Sequence, residues 1–522
     1  MKQLLLILLL CMGMNQSSSA QQYFNVRNFT NSFSCALTGV EVRDNKYYCS
    51  SVVVDSSNAF VRLGNKFLVF DSIGKKVLDS LYQLPDRQIQ TWNNSFQPMP
   101  DKGFLLVTES VDTVEYYAMI LRYDSVGKVV LSKEIAKPFC TSHEWMKVTD
   151  IKPVENNQWL MMSRIACQPT GGSVQADIVL TKLDSNFDVL WHKQIGDPGL
   201  DDAGWKLLIE PDGYLIAGGR NNISQAKKNF TLRAMLLKTD TTGAVQWTWL
   251  SDPLKKTFEA RDVIRTKDGG YVYCGAGDGF EYLSANQTYS IRSFRGWVEK
   301  LDANRNVVWS KAFNKYYDPT EFKKVIEAPD GRIFLFGNKY LPDSLGNDIW
   351  DFHTKGWFLT LSPNGDSLRE RLYYNVSSCD DRNLVYDAEP TDDGGFIMVG
   401  EATDMCNGAV GPIQRAWIVK VDSNGCLGPN DPQCWPTAVP ESPVKESISV
   451  RPNPVMDAWY VDNREGRKLD VTITDITGRV IYRKTSASSV ISTDLSNYPD
   501  GLYLFRISSA EGILLQGKLL KE

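Results

Sequence analysis

Few residues in this 522-residue chain have the types and spacing for chemistry. Its histidines are His143, His192 and His353 alone. Two acid pairs, Asp201-Asp202 and Asp380-Asp381, have the composition of a carboxylate pair for acid–base work or of a cation site. Solvated loop acids have the same composition, because acids are rarely buried unpaired. Gly275-Ala276-Gly277-Asp278-Gly279 has the glycine density of a phosphate cradle. No helix pattern follows it, and such a cradle relies on the free amides of a helix N-terminus, so it reads as a pliable loop. His-Glu-x-x-His, Gly-x-Ser-x-Gly and Gly-x-x-x-x-Gly-Lys are absent. Cys-x-x-Cys and the calcium-loop spacing are absent too. No catalytic residue, metal site or cofactor is expected.

The cysteines suggest bonds rather than reactions. Cys140 and Cys167 are 27 residues apart, and so are Cys379 and Cys406, in equivalent places of the repeat described below. Both pairs are expected to be disulfides, and Cys426 with Cys434 would close a small loop. Cys35, Cys49 and Cys274 are left over; Cys49 and Cys274 fall in apolar strands and fit buried thiols.

Aromatic residues on long polar connections are the better candidates for recognition. They are Trp145, Trp205, Phe280, Tyr282, Tyr289, Tyr316, Tyr317, Trp350, Phe352 and His353. Aromatic rings bring large contact area with few torsions to freeze, which suits sugar or peptide ligands. Tyr282, Tyr289, Trp350, Phe352, His353 and Trp205 are the residues expected to bind, in the segments 278–294 and 341–355 above all.

The elements that must hold these residues are set by a repeat. The stretch 234–250 reads as strand, tight turn, strand, with Asp240 and Gly243 in the turn and Trp247 seven residues after the Asp. The same turn acid stands at Asp71, Asp124, Asp184, Asp240, Asp302 and Asp422, with Ser362 in the remaining slot, at steps of 53, 60, 56, 62, 60 and 60 residues. Glycine follows three residues on, except where Asn186 and Asn304 stand nearby and offer tolerance of the left-handed backbone. A second set of turns, such as Pro211-Asp212-Gly213 and Asp268-Gly269-Gly270, precedes continuous apolar runs at 214–217, 271–274, 333–336 and 396–399. Each unit therefore has four strands, A to D, with tight A–B and C–D turns and long irregular B–C and D–A segments. A period of this length without helices predicts a seven-bladed β-propeller over residues 21–435. The seventh unit lacks its outer strand, because Cys426-Leu427-Gly428-Pro429 cannot extend. Residues 22–29, with Phe24 and Val26 alternating, are expected to supply it and to seal the ring.

Composition and the chain ends bound the location. Apolar content is ordinary and the net charge of −5 is interspersed, which gives no footprint for nucleic acid. Residues 1–20 have a positive start at Lys2, an apolar run over 4–10 and small residues before Gln21, the layout of a signal peptide. Cys11 raises a lipoprotein alternative, but the leucines before it lack the small residues of a lipobox. No run reaches transmembrane length. Residues 436–446 are a Pro-rich linker.

From 447 to 522, short strands at regular spacing predict a small immunoglobulin-like β-sandwich. Its marks are Pro452-Asn453-Pro454, then Asp475 to Arg479 with Gly478 in the turn, then Pro499-Asp500-Gly501-Leu502-Tyr503, and a closing Lys518-Leu519-Leu520-Lys521. With these marks in this order, the segment resembles the type A C-terminal sorting domain of the Bacteroidetes type IX secretion system. The preceding repeats resemble the Asp-Gly-Gly propellers of secreted bacterial proteins. The resemblance implies that the sorting domain engages the type IX translocon and sorting machinery, and that the passenger is released or attached at the surface. The expected function is a secreted or surface-attached binding protein with a glycan or protein ligand. The alternatives are an exported propeller enzyme acting on polysaccharide or peptide, and a structural part of a surface layer. Acids or histidines meeting at a central channel would favour the enzyme.

Overall fold

The structure, a computed structural model, describes residues 23–521 apart from 29–33, 56–60, 85–86, 91–94, 113–114, 137, 140–144, 168–174, 198, 223–231, 253–258, 284–289, 314–319, 343–351, 378–380, 405–412, 430, 432–447, 452–454, 464–465 and 510–511. The chain forms two compact units, Met1–Gly428 and Pro429–Glu522. Both are all-β among the described residues, apart from one turn of 3-10 helix at Glu155–Asn157.

The first unit is a succession of small antiparallel sheets. Four have four strands each, one has five, and one has eight, built from two four-stranded halves. Those halves, the sixth and seventh in chain order, meet at one parallel bridge between Thr354 and Arg382. Within each sheet the strands follow chain order A, B, C, D. In the seventh, the strand Phe24–Asn28 lies outside Ile413–Val421, with Val26 opposite Ile418. Asn25 holds that strand in place: its Oδ1 accepts the Trp417 indole N–H at 2.7 Å, and its Nδ2 donates to the Tyr374 carbonyl at 2.9 Å.

Every sheet packs face to face on the next. Separate apolar clusters join the first sheet to the second, and so on in order to the sixth and seventh. A last cluster joins Ile397, Val399 and Ile418 to Leu37, Cys49, Leu68 and Phe24, so the seventh sheet packs on the first. Because both faces of each sheet are covered, the B strands read as unbroken apolar runs rather than alternating ones. Each fully buried large side chain contributes roughly 1.5–3 kcal/mol. Tryptophan positions use glycines as clearance. A Cβ on Gly356 would come within 2.9 Å of the Trp417 ring of the next sheet.

The C–D turns have one design. The side chain of Asp71, Asp124, Asp184, Asp240, Asp302, Ser362 or Asp422 accepts the backbone N–H groups two and four residues on, as Asp240 does from Thr242 at 2.8 Å and Ala244 at 2.9 Å. The fourth residue of each turn must be left-handed, as in a type I turn closed by a glycine bulge. Gly243 supplies it at φ 82°. Where glycine is missing, the strained residues are Phe187 at φ 61° and Arg305 at φ 69°, not Asn186 and Asn304. The asparagines stand one position too early, where the backbone is ordinary. Phe187 is held there by burial against Trp159.

Two further expectations change. The run Gly275–Gly279 is not a loop: it lies inside the strand Tyr271–Leu283, which continues well past the expected 271–274. Likewise Ile333–Pro342 and Phe352–Leu361 extend into the segments read as irregular.

The second unit pairs a three-stranded sheet with a four-stranded one around a single core of Trp459, Val461, Ile473, Phe505 and Leu519, a sandwich-like arrangement. Asp475 repeats the turn of the first unit, accepting from Thr477 and Arg479 at 3.0 and 3.1 Å, with Gly478 at φ 86°. Tyr503 donates to the Pro499 carbonyl at 2.7 Å, and Lys521 pairs with Asp500 at 2.9 Å. Lys518 stands opposite Leu504, Gly501 opposite Lys521. Pro452, Asn453 and Pro454 lie outside the described residues.

Candidate functional site

The A strands of sheets two to seven line a common cavity of about 800 Å³. Their shape sets what faces it. In six sheets the A–B ladder slips by one residue at an equivalent point, leaving Thr38, Thr149, Trp205, Arg261, Lys323 and Tyr386 as bulged residues. The second sheet splits its A strand there, into Gln88–Gln90 and Phe96–Pro98. A bulge turns one extra side chain out of the pleat and pushes the strand's carbonyl toward its partner. The partner residue is therefore small: a Cβ on Gly218, Gly275, Gly337 or Gly400 would sit 1.8–2.1 Å from an A-strand carbonyl oxygen. The sequence signal was a small residue five or six positions into each B strand. Its meaning lay in the pairing.

On the other side of the bulges from this lining, the bulged residues of three successive sheets, Trp205, Arg261 and Lys323, are linked in one cluster. The Arg261 guanidinium lies 4.3 Å from the Trp205 ring centre, 3.1 Å from Glu259 and 3.9 Å from Glu321. Lys323 pairs with Glu321 at 2.6 Å. Burial opposes the charge on Glu321, but Lys323 and Arg261 hold its carboxyl below the ordinary range. Burial, with Arg261 nearby, pushes Lys323 down. Further round, Tyr386 hydrogen-bonds Glu401, which also accepts from Gln414 at 2.9 Å. Burial raises the Glu401 carboxyl, and burial with the Glu401 charge raises the Tyr386 phenol. Tyr340, between Glu321 and Glu401, is pushed up to about 12, by burial first. The arrangement offers donors, acceptors and ring faces close together.

Of the residues expected to bind, Trp205 stands in this cluster, against Arg261. His353 lies to one side, at the boundary of the sixth and seventh sheets, where its Nδ1 contacts the fully buried Asp381. Asp381 also accepts from Lys355 at 2.6 Å and Asn383 at 3.0 Å. The acid of the Asp380-Asp381 pair that is described thus braces a sheet boundary and orients a histidine. Tyr282 belongs to the strand Tyr271–Leu283, opposite Ile291, and Phe352 stands opposite Pro342; their side chains lie outside the described residues. Tyr289 and Trp350 lie outside them entirely. Asp201 and Asp202 are strand residues rather than solvated loop acids: Asp201 pairs with Arg164 at 2.8 Å, and Arg220 holds Asp202 at 2.7 and 2.9 Å. Composition alone could not reveal arginines from neighbouring strands.

Cys35, Cys49 and Cys274 are free buried thiols. Cys426 is buried, and Cys140, Cys379, Cys406, Cys434 and the side chain of Cys167 lie outside the described residues. Among the described residues no group of His, Cys, Asp and Glu could hold a metal ion, and no helix is long and apolar enough to cross a membrane.

Residues 449–522 match the family of secretion-system C-terminal sorting domains. This tail marks the chain for export by the type IX system, to the cell surface or the medium, and implies interaction with that machinery. No curated protein matches the chain. Among solved structures, the Bombyx mori GH32 β-fructofuranosidase BmSUC1 is similar at a TM-score of 0.32 and 8% identity, covering 79% of this chain and 94% of that one. PorZ, a surface component of the type IX secretion system of Porphyromonas gingivalis, gives 0.16 and 8%, covering 95% and 100%. A DUF4221 family member from Bacteroides vulgatus gives 0.31 and 8%, covering 77% and 96%. These are distant likenesses.

Proposed function

We propose that the chain is a secreted or surface-attached binding protein built as a seven-bladed β-propeller, with an immunoglobulin-like sorting sandwich behind a Pro-rich linker. Seven turn registers, A strands around one cavity, and a core shared by the first and seventh sheets support the propeller. The ligand is a glycan or protein segment bound on the face of the B–C and D–A segments. The cluster of Trp205, Arg261, Glu321 and Lys323, with Tyr386 further round, carries this reading, because stacking surface and paired polar groups come together there. Tyr282, Tyr289, Trp350, Phe352 and His353 are further residues proposed to bind. Disulfides between Cys140 and Cys167, Cys379 and Cys406, and Cys426 and Cys434 would staple the connections in an oxidising compartment.

One observation favours the enzymatic alternative. Glu321 and Glu401 both act on Tyr340 and Tyr386, and Glu401 is a carboxyl raised by burial, as a general acid requires. A passive surface-layer role would leave this convergence unused.

Glycan and peptide arrays probed with the mature full chain separate the readings. Trp205→Ala and Tyr386→Phe should each weaken binding about tenfold or more, and the hit should survive incubation unchanged. Cleavage of the bound glycan or peptide, abolished by Glu401→Gln, would establish the enzyme instead. Binding untouched by both variants would move the site elsewhere. Removal of the chain from Ser447 onward should leave the protein in the periplasm, and normal secretion of that truncation would remove the sorting role.

A further inference from the structure

In the second unit, the strands Val480–Ser486, Leu469–Asp475, Gly501–Ser509 and Gly512–Lys521 lie side by side in that order. Alternate residues turn inward, and Ile473, Phe505 and Leu519 belong to the core. The residues between them share the other face. One cross-strand row there is Val480, Thr474, Leu504 and Lys518, and beside it Leu502 stands opposite Leu520. Val480, Leu502, Leu504 and Leu520 are 36–53% exposed. On the other side of that row come Arg483, Thr472, Arg506 and Gln516, with both arginines exposed. Neither guanidinium has an ion pair or hydrogen bond among the described residues. An acid, Asp470, enters one row further, where it accepts from the Thr485 hydroxyl.

We propose that this face is where the export machinery receives the tail, and that the receiving surface is an apolar strip bordered by carboxylates. The proposal rests on the sorting role of residues 449–522. Strand positions that face water are ordinarily polar, as Thr472 and Asp470 are here. Four large aliphatic side chains side by side therefore mark a surface that becomes covered on contact. Leu502, Lys518 and Leu520 are among the marks by which the tail resembles sorting domains, and their neighbours Tyr503 and Leu519 are buried. Packing within the unit accounts for the buried members and leaves the outward ones to recognition. The charge selects the partner. A second copy would bring the same arginines against this face, and like charges oppose that pairing. A partner bordered by carboxylates matches Arg483 and Arg506, whose planar forks pair with carboxylates through two parallel bonds.

Export of the full chain from cells with a type IX system tests it, read as the fraction that reaches the surface or the medium. Leu502→Glu with Leu504→Glu should lower that fraction about tenfold, and so should Arg483→Glu with Arg506→Glu. Val490→Glu, at a residue 45% exposed on the three-stranded sheet, should export like the parent. The Tm of each purified chain shows whether it folds. A second measurement needs no acidic variant: a photo-reactive benzoylphenylalanine in place of Leu504 keeps the position apolar. Irradiated during export, it should join the chain to a type IX component, identified by mass spectrometry of the adduct, and the same group in place of Val490 should not. The proposal is overturned by parental export of the leucine variant at unchanged Tm, by equal loss in Val490→Glu, or by adducts from position 504 only to a second copy or to the chain's own first unit. If removal of the chain from Ser447 onward blocks export while the face variants pass, the sorting role stands and this face is not its surface.

Discussion

Asp150 Oδ2 accepts the backbone N–H of Leu207 at 2.8 Å, across the boundary between the third and fourth sheets. The same latch recurs where Asp262 accepts from Val325 at 2.9 Å and Asp387 from Val40 at 3.1 Å. A bulge frees the amide just beyond it from its own ladder, and an acid of the neighbouring sheet takes it up. Asp150→Ala should therefore strand a buried donor and cost about 1–3 kcal/mol, while Asp150→Asn, which keeps an acceptor, should cost less. Equal urea midpoints for the parent and Asp150→Ala would remove the latch.

The bulge also explains the B-strand glycines. Gly337→Ala would place a Cβ 2.1 Å from the Glu321 carbonyl, with no flexible neighbour to yield. It should cost more than about 3 kcal/mol or prevent folding. Gly394, at φ 80° with open space around it, is the control. Gly394→Ala should cost only about 1 kcal/mol of backbone strain. Similar losses at both positions, measured by chemical denaturation, would contradict this account.

Asn25 makes the outermost contact of the seventh sheet with both ends of its amide. Asn25→Ala should leave the Trp417 indole N–H without that acceptor and cost about 1–3 kcal/mol. Removing residues through Asn28 should uncover Ile418 and Phe70 as well and lower Tm further. Unchanged melting of both variants would mean that the strand adds nothing.

The three free thiols are 0–1% exposed. Burial above all pushes Cys35 up to about 11 and holds Cys49 and Cys274 well above the ordinary thiol range. A thiol reagent at neutral pH should label none of them until denaturant is added, and all three thereafter. Peptide mapping without reduction should meanwhile recover the three proposed disulfides; rapid native labelling of Cys274 would show the fifth sheet to be open.

Glu41 gives stability a pH dependence of definite sign. Burial, then Glu389 and Asp387, push its carboxyl from about 4.3 in the unfolded chain up to about 8, so folding favours the protonated form. The parent and Glu41→Gln should be equally stable below about pH 4, where both are neutral there. The variant should gain on the parent as pH rises from about 4.3 to 8, and the gap should then level off. The groups facing Glu41 are Glu389, Asp387, Lys324 and Lys152. A constant difference across that range would place the Glu41 carboxyl in free solvent.

Local chemistry was legible in the sequence. Asp240, Gly243 and their equivalents specify a turn that closes on itself within five residues, so spacing alone reveals it. The sorting tail was legible for the same reason: Asp475, Gly478 and Tyr503 act through contacts a few residues away. The apolar runs marked the B strands, because burial on both faces leaves no alternation. The tertiary structure decided what crosses between sheets. Which residue bears the left-handed strain at Phe187 and Arg305 depends on one position of register. Whether Asp201 is solvated depends on Arg164, distant in sequence. That Trp205, Arg261 and Lys323 meet depends on a bulge repeated in different sheets, where the residue types differ and only the backbone is shared. Sequence carries side-chain identity, whereas a bulge is a property of pairing, and pairing exists only once two strands lie together.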